Sequence, residues 1–235
     1  MFFGFMWWDI SFLAFMLPAM VLSLVASSMV KRTYRQQQLV PNARGITGYR
    51  AAQLMLQHHG IYDVRIEMGQ GKLSDHYDPR SKTIRLSPAV YNNASVSAVC
   101  IAAHEAGHAV QHAQVYLPLK MRAAILPVAN IGSTIAMPLV FLGFIIDSYG
   151  TDWLITIGLA LFCFVALFQL VTLPVEFNAS RRAMQYIQGT DMLYGEELKG
   201  ARKVLNAAAL TYVAALVVTL MNLLRILLMS RGRRR

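Results

Sequence analysis

The chain has 235 residues, 56% of them hydrophobic and only 14% charged. A soluble domain carries about 25% charged residues, so an ordinary soluble fold is excluded and a membrane protein is indicated. The formal charge of +10 comes without aromatic-basic interleaving or a recognised DNA-binding pattern, which argues against nucleic acid as a partner. The basic residues flank apolar segments instead, as cytoplasmic loops do.

Residues 1–30 read as an N-terminal membrane anchor. The run 10–30 is apolar over the roughly 20 residues that a helix needs to cross the hydrocarbon core. Val25 and Ser27 resemble a signal-cleavage signature. No Lys or Arg precedes the run, however, and it exceeds the roughly 7–15 apolar residues of a signal peptide. An uncleaved anchor is expected, with Trp7 and Trp8 at the membrane interface.

Residues 31–122 are polar and turn-rich and read as a small α+β domain. Thr47 is placed to cap a helix running to His59, with Gly60 as its stop. VRIEM (64–68) has strand character, broken by Gly69 and Gly71. Asp78-Pro79-Arg80-Ser81 reads as a turn and KTIRLS (82–87) as a strand. Ser87 before Pro88 has the pattern of an N-cap with proline at the first helical position. Asn93 or Ser95 then caps a helix whose apolar residues include Val96, Val99, Ala103 and Val110. This unit is short for a self-sufficient core and is expected to lean on membrane helices.

Residues 123–175 read as a transmembrane hairpin, with spans at 123–146 and 153–175. Residues 176–203 form a helix and a polar segment beginning just after Pro174. Residues 204–235 hold a fourth apolar segment (204–229), which includes Asn206, Asn222 and Arg225, and a basic tail of Arg231, Arg233, Arg234 and Arg235. The two cysteines, Cys100 and Cys163, suggest no disulfide framework. Cys100, four residues before His104, is expected to pack as a small hydrophobe.

Orientation follows from Lys and Arg near the span ends. Lys31, Arg32, Arg35, Lys120, Arg122, Arg181, Arg182, Lys199, Arg202 and Lys203 put 31–122 and 176–203 in the cytoplasm. The loop 147–152 (DSYGTD) has two acids and no base, and faces outward with the N-terminus. If the fourth segment crosses, the basic tail violates the rule; otherwise that segment is buried or re-entrant.

The chemistry lies in AAHEAGHAVQH (102–112). Two histidines four residues apart share one face of a helix, so both imidazoles can reach one zinc ion. Glu105 lies on the adjoining ridge, suited to be the general base. Zinc lowers the pKa of water, and the carboxylate takes the proton as a peptide carbonyl is attacked. The pentapeptide is short enough to occur by chance, but here it sits on a capped helix in a chain with only six histidines. Ala106, Gly107 and Ala109 keep that helix slim for a close neighbour.

A catalytic zinc needs three protein ligands and an open position. His112 is eight residues from His104, about 12 Å along a continuous helix, and no break is visible between His108 and His112. It reads as a residue supporting the site or lying on the surface, not as a ligand. Glu176, following Pro174, is the candidate third ligand, from a second helix. The bland alternative is a helix-start acid favoured by the macrodipole; beside an incomplete site, the ligand reading is preferred. Ser180 shares the face of Glu176 and Asn178 is nearby, and either is placed to orient a ligand.

At HEAGHAVQHA (104–113) and PVEFNASRRA (174–183) together, the chain resembles the neutral zinc metallopeptidases of bacterial membranes. The resemblance covers most of the chain and runs nearly throughout SDHYDPRSKTIRLSPAVYNNASVSAVCIAAHEAGHAVQHA. The chain is more distantly similar to the heat-shock-type and prenyl-protein membrane metalloproteases, in which a Glu opening an E-x-x-x-Asp motif is the third ligand. The resemblance implies a gluzincin-like site with His104, His108 and Glu176 as ligands of one catalytic Zn2+ and Glu105 as base. The departure is Ser180, where the distant relatives carry an acid. By the same likeness, the strand KTIRLS is expected to pair with extended substrate.

The expected fold is therefore a mainly α membrane protein, with about four transmembrane helices and a small α+β zincin-like cytoplasmic catalytic domain. The expected function is zinc-dependent endopeptidase activity on membrane-associated or hydrophobic polypeptides, in a bacterial-type plasma membrane. Nothing in the sequence specifies an oligomeric state. A non-cleaving metalloprotein of the same fold is the alternative, opposed by the intact Glu105. A transporter reading, motivated by Asn130, Gln169, Asn222 and Arg225, ranks lower, because most of these are uncharged and Arg225 stands where it can snorkel. His76, Tyr77, Arg181 and Arg182 are within reach of an oxyanion role but equally suit turn packing and interfacial charge. His58 and His59 suit a helix C-terminus.

Overall fold

A computed structural model describes residues 2–71, 74–146 and 152–233. Among these run α1 (Phe2–Gln38), α2 (Gly48–His58), β1 (Arg65–Met68), β2 (His76–Asp78), β3 (Thr83–Leu86), α3 (Pro88–Tyr91), α4 (Val96–Ala113), α5 (Leu117–Ile145), α6 (Asp152–Gly189) and α7 (Glu196–Arg233). Residues 147–151 of the acidic loop, with Arg234 and Arg235 of the tail, lie outside the described residues, as do the side chains of Trp7, Trp8, Asp152, Arg231 and Arg233. The chain forms two compact units. One comprises Met1–Ser27, Lys120–Leu173 and Thr211–Arg235; the other comprises Ser28–Leu119 and Pro174–Leu210.

Four helices are long and apolar enough to cross a membrane, over Leu13–Gln38, Leu117–Ile145, Trp153–Gly189 and Glu196–Ser230. Each overruns the apolar segment read from the sequence. The third does so most tellingly. Pro174 was expected to separate a span from a new helix, yet α6 passes through it unbroken. Proline removes one backbone donor, but packed neighbours sustain the helix across that gap. Glu176 is thus a mid-helix residue, and the helix-start explanation for it falls away.

In the first unit, α5 and α6 approach closely. A Cβ on Gly132 would lie 2.9 Å from the Leu161 carbonyl oxygen, and one on Gly158 would lie 2.9 Å from that of Ala136. Small residues let helix backbones pack tightly where lipid supplies no hydrophobic drive. Arg225 is only 3% exposed, so the expected snorkelling is corrected: α7 buries this side chain within the protein.

The second unit follows the expected order of helix, strands and helix. The Thr47 side chain accepts from the Arg50 amide at the start of α2, and Gly60 takes φ +69° just past its end. Asp78 shapes the β2–β3 turn, accepting from the Arg80 amide (2.9 Å) and the Ser81 hydroxyl (2.7 Å). Ser87 precedes α3 but makes no side-chain cap bond. Its amide and hydroxyl bond the Asp75 carboxylate instead, at 2.7 and 3.2 Å.

The three-stranded sheet has the order β1-β3-β2, with β1 parallel and β2 antiparallel to β3. This corrects the reading of KTIRLS as the substrate-pairing strand. β3 is central, with its backbone groups committed on both sides. The edge tied to α4 is β2, a strand too short to show alternation. The core gathers Ala51 and Met55 of α2, Ile84 and Leu86 of β3, Val99 and Val110 of α4, and Ala183 and Ile187 of α6, all fully buried.

Candidate metal centre

Ser95 starts the motif helix, its hydroxyl accepting from the Ala98 amide at 3.2 Å. α4 then runs without interruption from Val96 to Ala113. His104 and His108 are consequently one turn apart, their ring centroids separated by 4.7 Å with edge-on planes. Across from them, α6 carries Glu176. Its Oε2 lies 3.3 Å from His104 Nε2 and 3.5 Å from His108 Nε2. The bare backbone of Gly107 admits α6 at Ala179, as expected of a slim helix. The carboxylate is almost completely buried, and both imidazoles retain a narrow opening to solvent.

The three groups form the His-His-Glu cluster of the described residues whose ligand atoms fall within 4.8 Å of one another. Zinc binds imidazole nitrogen at about 2.0–2.1 Å and carboxylate oxygen at about 2.0–2.2 Å, so tetrahedral nitrogen and oxygen ligands of one ion stand about 3.3–3.5 Å apart. The observed 3.3 and 3.5 Å fit that spacing. The donor set also matches the two imidazoles and one carboxylate used by catalytic zinc.

The far nitrogen of each imidazole has its own partner. His104 Nδ1 lies 3.1 Å from Ser180 Oγ, and His108 Nδ1 lies 3.0 Å from Gln111 Oε1. Such partners fix ring orientation and tautomer. Glu105 is buried beside them. Burial opposes a charge on His108, but the hydrogen bond to Glu176, the charges of Glu105 and Glu176, and the Gln111 contact together raise its pKa above the usual 6.5.

His112 does not join the cluster. Its Nδ1 is 2.8 Å from the Tyr77 hydroxyl. Burial, with the charges of Asp63 and Asp78, pushes the Tyr77 phenol up to about 12. Tyr77 therefore keeps its proton, and its hydrogen bond with His112 Nδ1 fastens β2 to α4. Arg182 donates to Asn178 Oδ1 and Gln114 Oε1, each at 2.7 Å, and so is engaged in helix packing. The exposed His76 bonds the Ser74 carbonyl at 2.7 Å. His59 Nδ1 lies 2.9 Å from the Met55 carbonyl, and the His58 ring packs 5.2 Å from Tyr186. Cys100 is buried, its thiol donating to the Ser97 carbonyl and pushed up to about 12 by burial.

Of the residues expected to steady the ligands, Ser180 contacts His104 directly, while Asn178 acts at one remove through Gln111. Gln111 was missed. Its position three residues after His108, on the same helix face, was the available signal.

Fold and cluster define a class: a helical protein with four helices able to cross a membrane and a zinc-compatible His-His-Glu group. The comparisons then place the chain. It belongs to the family described as "Putative neutral zinc metallopeptidase", which matches residues 12–231. It is 44% identical over 223 residues to "Putative membrane protease YugP" of Bacillus subtilis (strain 168), covering 94% of this chain and 98% of that relative. No solved structure matches the chain.

Proposed function

We propose that this protein is a zinc-dependent endopeptidase of the plasma membrane, cutting membrane-associated or hydrophobic polypeptides at the cytoplasmic face. His104, His108 and Glu176 hold one zinc ion, and Glu105 is the general base. The observation that carries this reading is the convergence of two Nε2 atoms on one Glu176 oxygen, at 3.3 and 3.5 Å. A zinc ion bound there supplies Lewis acidity and lowers the pKa of water.

The chain's own residues do the rest. Ser180 and Gln111 hold the imidazoles with Nε2 towards the ligand cluster. Glu105 accepts the proton of the attacking water and returns it to the departing amine nitrogen. The outer edge of β2, unpaired among the described residues, can take an extended polypeptide by backbone hydrogen bonding, with little demand on sequence.

The cytoplasmic assignment rests on Lys31, Arg32, Arg35, Lys120, Arg122, Arg181, Arg182, Lys199, Arg202 and Lys203 flanking the apolar runs. On this reading 31–122 is the catalytic domain, 176–203 brings its third ligand, and 1–30, 123–175 and 204–235 are the membrane parts. Glu176 continues the helix of an apolar run, which favours substrates near the membrane interface.

The test is cleavage of an unfolded membrane protein by zinc-loaded, purified wild type and Glu105→Gln. Removing a general base lowers the rate about 10²–10⁴-fold, and zinc content should be retained. Equal cleavage by the two proteins contradicts the assignment.

A further inference from the structure

Gln111 is fully buried, and its side-chain amide contacts both His108, a candidate ligand, and the backbone of Val175, which precedes another. The orientation of that amide follows from a chain of contacts that begins at an arginine. A guanidinium only donates hydrogen bonds. Arg182 Nε lies 2.7 Å from Asn178 Oδ1, so that atom is an acceptor. Gln111 Nε2 lies 3.0 Å from the same oxygen and 2.8 Å from the Val175 carbonyl oxygen. Both partners accept, so the nitrogen of Gln111 faces α6 and its Oε1 faces His108.

A carbonyl oxygen cannot donate. The 3.0 Å contact between Oε1 and His108 Nδ1 therefore requires the hydrogen to sit on Nδ1. In the neutral ring, Nε2 of His108 is then the nitrogen left with a lone pair, directed towards the ligand cluster. The other end of the same amide holds Val175, the residue immediately before Glu176. One side chain thus restrains an imidazole on α4 and the backbone that carries the carboxylate on α6.

We propose that Gln111 is a positioning residue of the metal centre, selecting the ligating tautomer of His108 and tethering the turn of α6 that presents Glu176. This rests on the zinc reading above. It separates Gln111 from ordinary core packing, because the acceptor oxygen, and not the volume of the side chain, is what His108 requires. Gln111→Met keeps the volume and removes the acceptor. Gln111→Glu keeps an acceptor towards Nδ1.

The experiment uses the full-length protein in detergent, with zinc affinity measured by competition against a chromophoric chelator and thermal unfolding followed without metal. Loss of such a partner weakens metal binding about 10–100-fold. That loss is expected for Gln111→Met, and Gln111→Glu should recover only the part owed to the acceptor facing His108, because it lacks the donor to Val175. Wild-type affinity in Gln111→Met, or equal weakening in both variants, overturns the proposal. Should Gln111→Met fail to fold, imidazole 15N shifts of His108 in the zinc-free wild type carry the test, read at a pH where the ring is neutral. A proton on Nδ1 supports the proposal, and a proton on Nε2 overturns it. If the wild type takes up no zinc, the metal reading falls as well; wild-type uptake with no variant effect removes Gln111 alone.

Discussion

A Cβ placed on Gly107 would lie 2.8 Å from the carbonyl oxygen of Ala179 and 3.4 Å from its Cα. Gly107 stands between the two histidines of α4, and Ala179 stands three residues beyond Glu176 on α6. A tight approach of the two helices therefore lies beside the His-His-Glu cluster. Gly107→Ala gains about 1 kcal/mol of helix propensity, while forced overpacking costs about 1–3 kcal/mol. We expect slight net destabilisation and a marked drop in zinc affinity, as α6 is pushed from α4. Thermal unfolding and chelator competition read both. A more stable variant with wild-type affinity would remove this contact from the account.

The raised pKa of His108 sets a pH dependence. Without metal, a folded-state pKa above the unfolded value favours folding when the group is protonated. That contribution is fully present below the ordinary value of 6.5 and is lost as pH rises through the raised one. Zinc instead requires the neutral ring, so its binding strengthens with rising pH over the same window. Zinc-free melting temperature and zinc affinity should move in opposite directions between mildly acidic and neutral pH. His108→Gln should flatten the stability trend.

Val115 closes the motif helix in a left-handed conformation, at φ 56°. The amide of Val115 bonds the His112 carbonyl at 3.1 Å and that of Tyr116 bonds the Gln111 carbonyl at 2.9 Å, a Schellman pairing that usually employs glycine. A β-branched residue is strained there by about 1–2 kcal/mol, and Val115 is 57% exposed, so little packing would be lost. Val115→Gly should gain about 1 kcal/mol, read as a higher melting temperature, with zinc affinity unchanged. A lower melting temperature would show that Val115 contributes contacts outweighing its strain.

The same cap shows where sequence reasoning stops. Long apolar runs disclosed the four helices able to cross a membrane, and the spacing of His104 and His108 disclosed two members of the His-His-Glu cluster, because these patterns are local. Thr47 was legible as a cap for the same reason, and Ser95 as one of two candidates with Asn93. Glu176 was reached by chemistry, from a site lacking a ligand. The end of α4 gave no glycine signal, since Val115 takes the left-handed position where a glycine would be expected. The continuity of α6 through Pro174 also overrides a local rule. β2 has three residues and no alternation, so the central position of β3 could not be read. Gln111 resembled any helix-surface amide until the neighbouring α6 turned it into a link between His108 and Val175.

The central claim is that two helices supply one zinc site, with Glu176 as its third ligand. The direct measurement is zinc stoichiometry and affinity of Glu176→Ala beside the wild type, in detergent, with helicity monitored. The account predicts one tightly bound zinc per wild-type chain, and affinity reduced by orders of magnitude in a variant that remains helical. Unchanged stoichiometry and affinity in Glu176→Ala would contradict it.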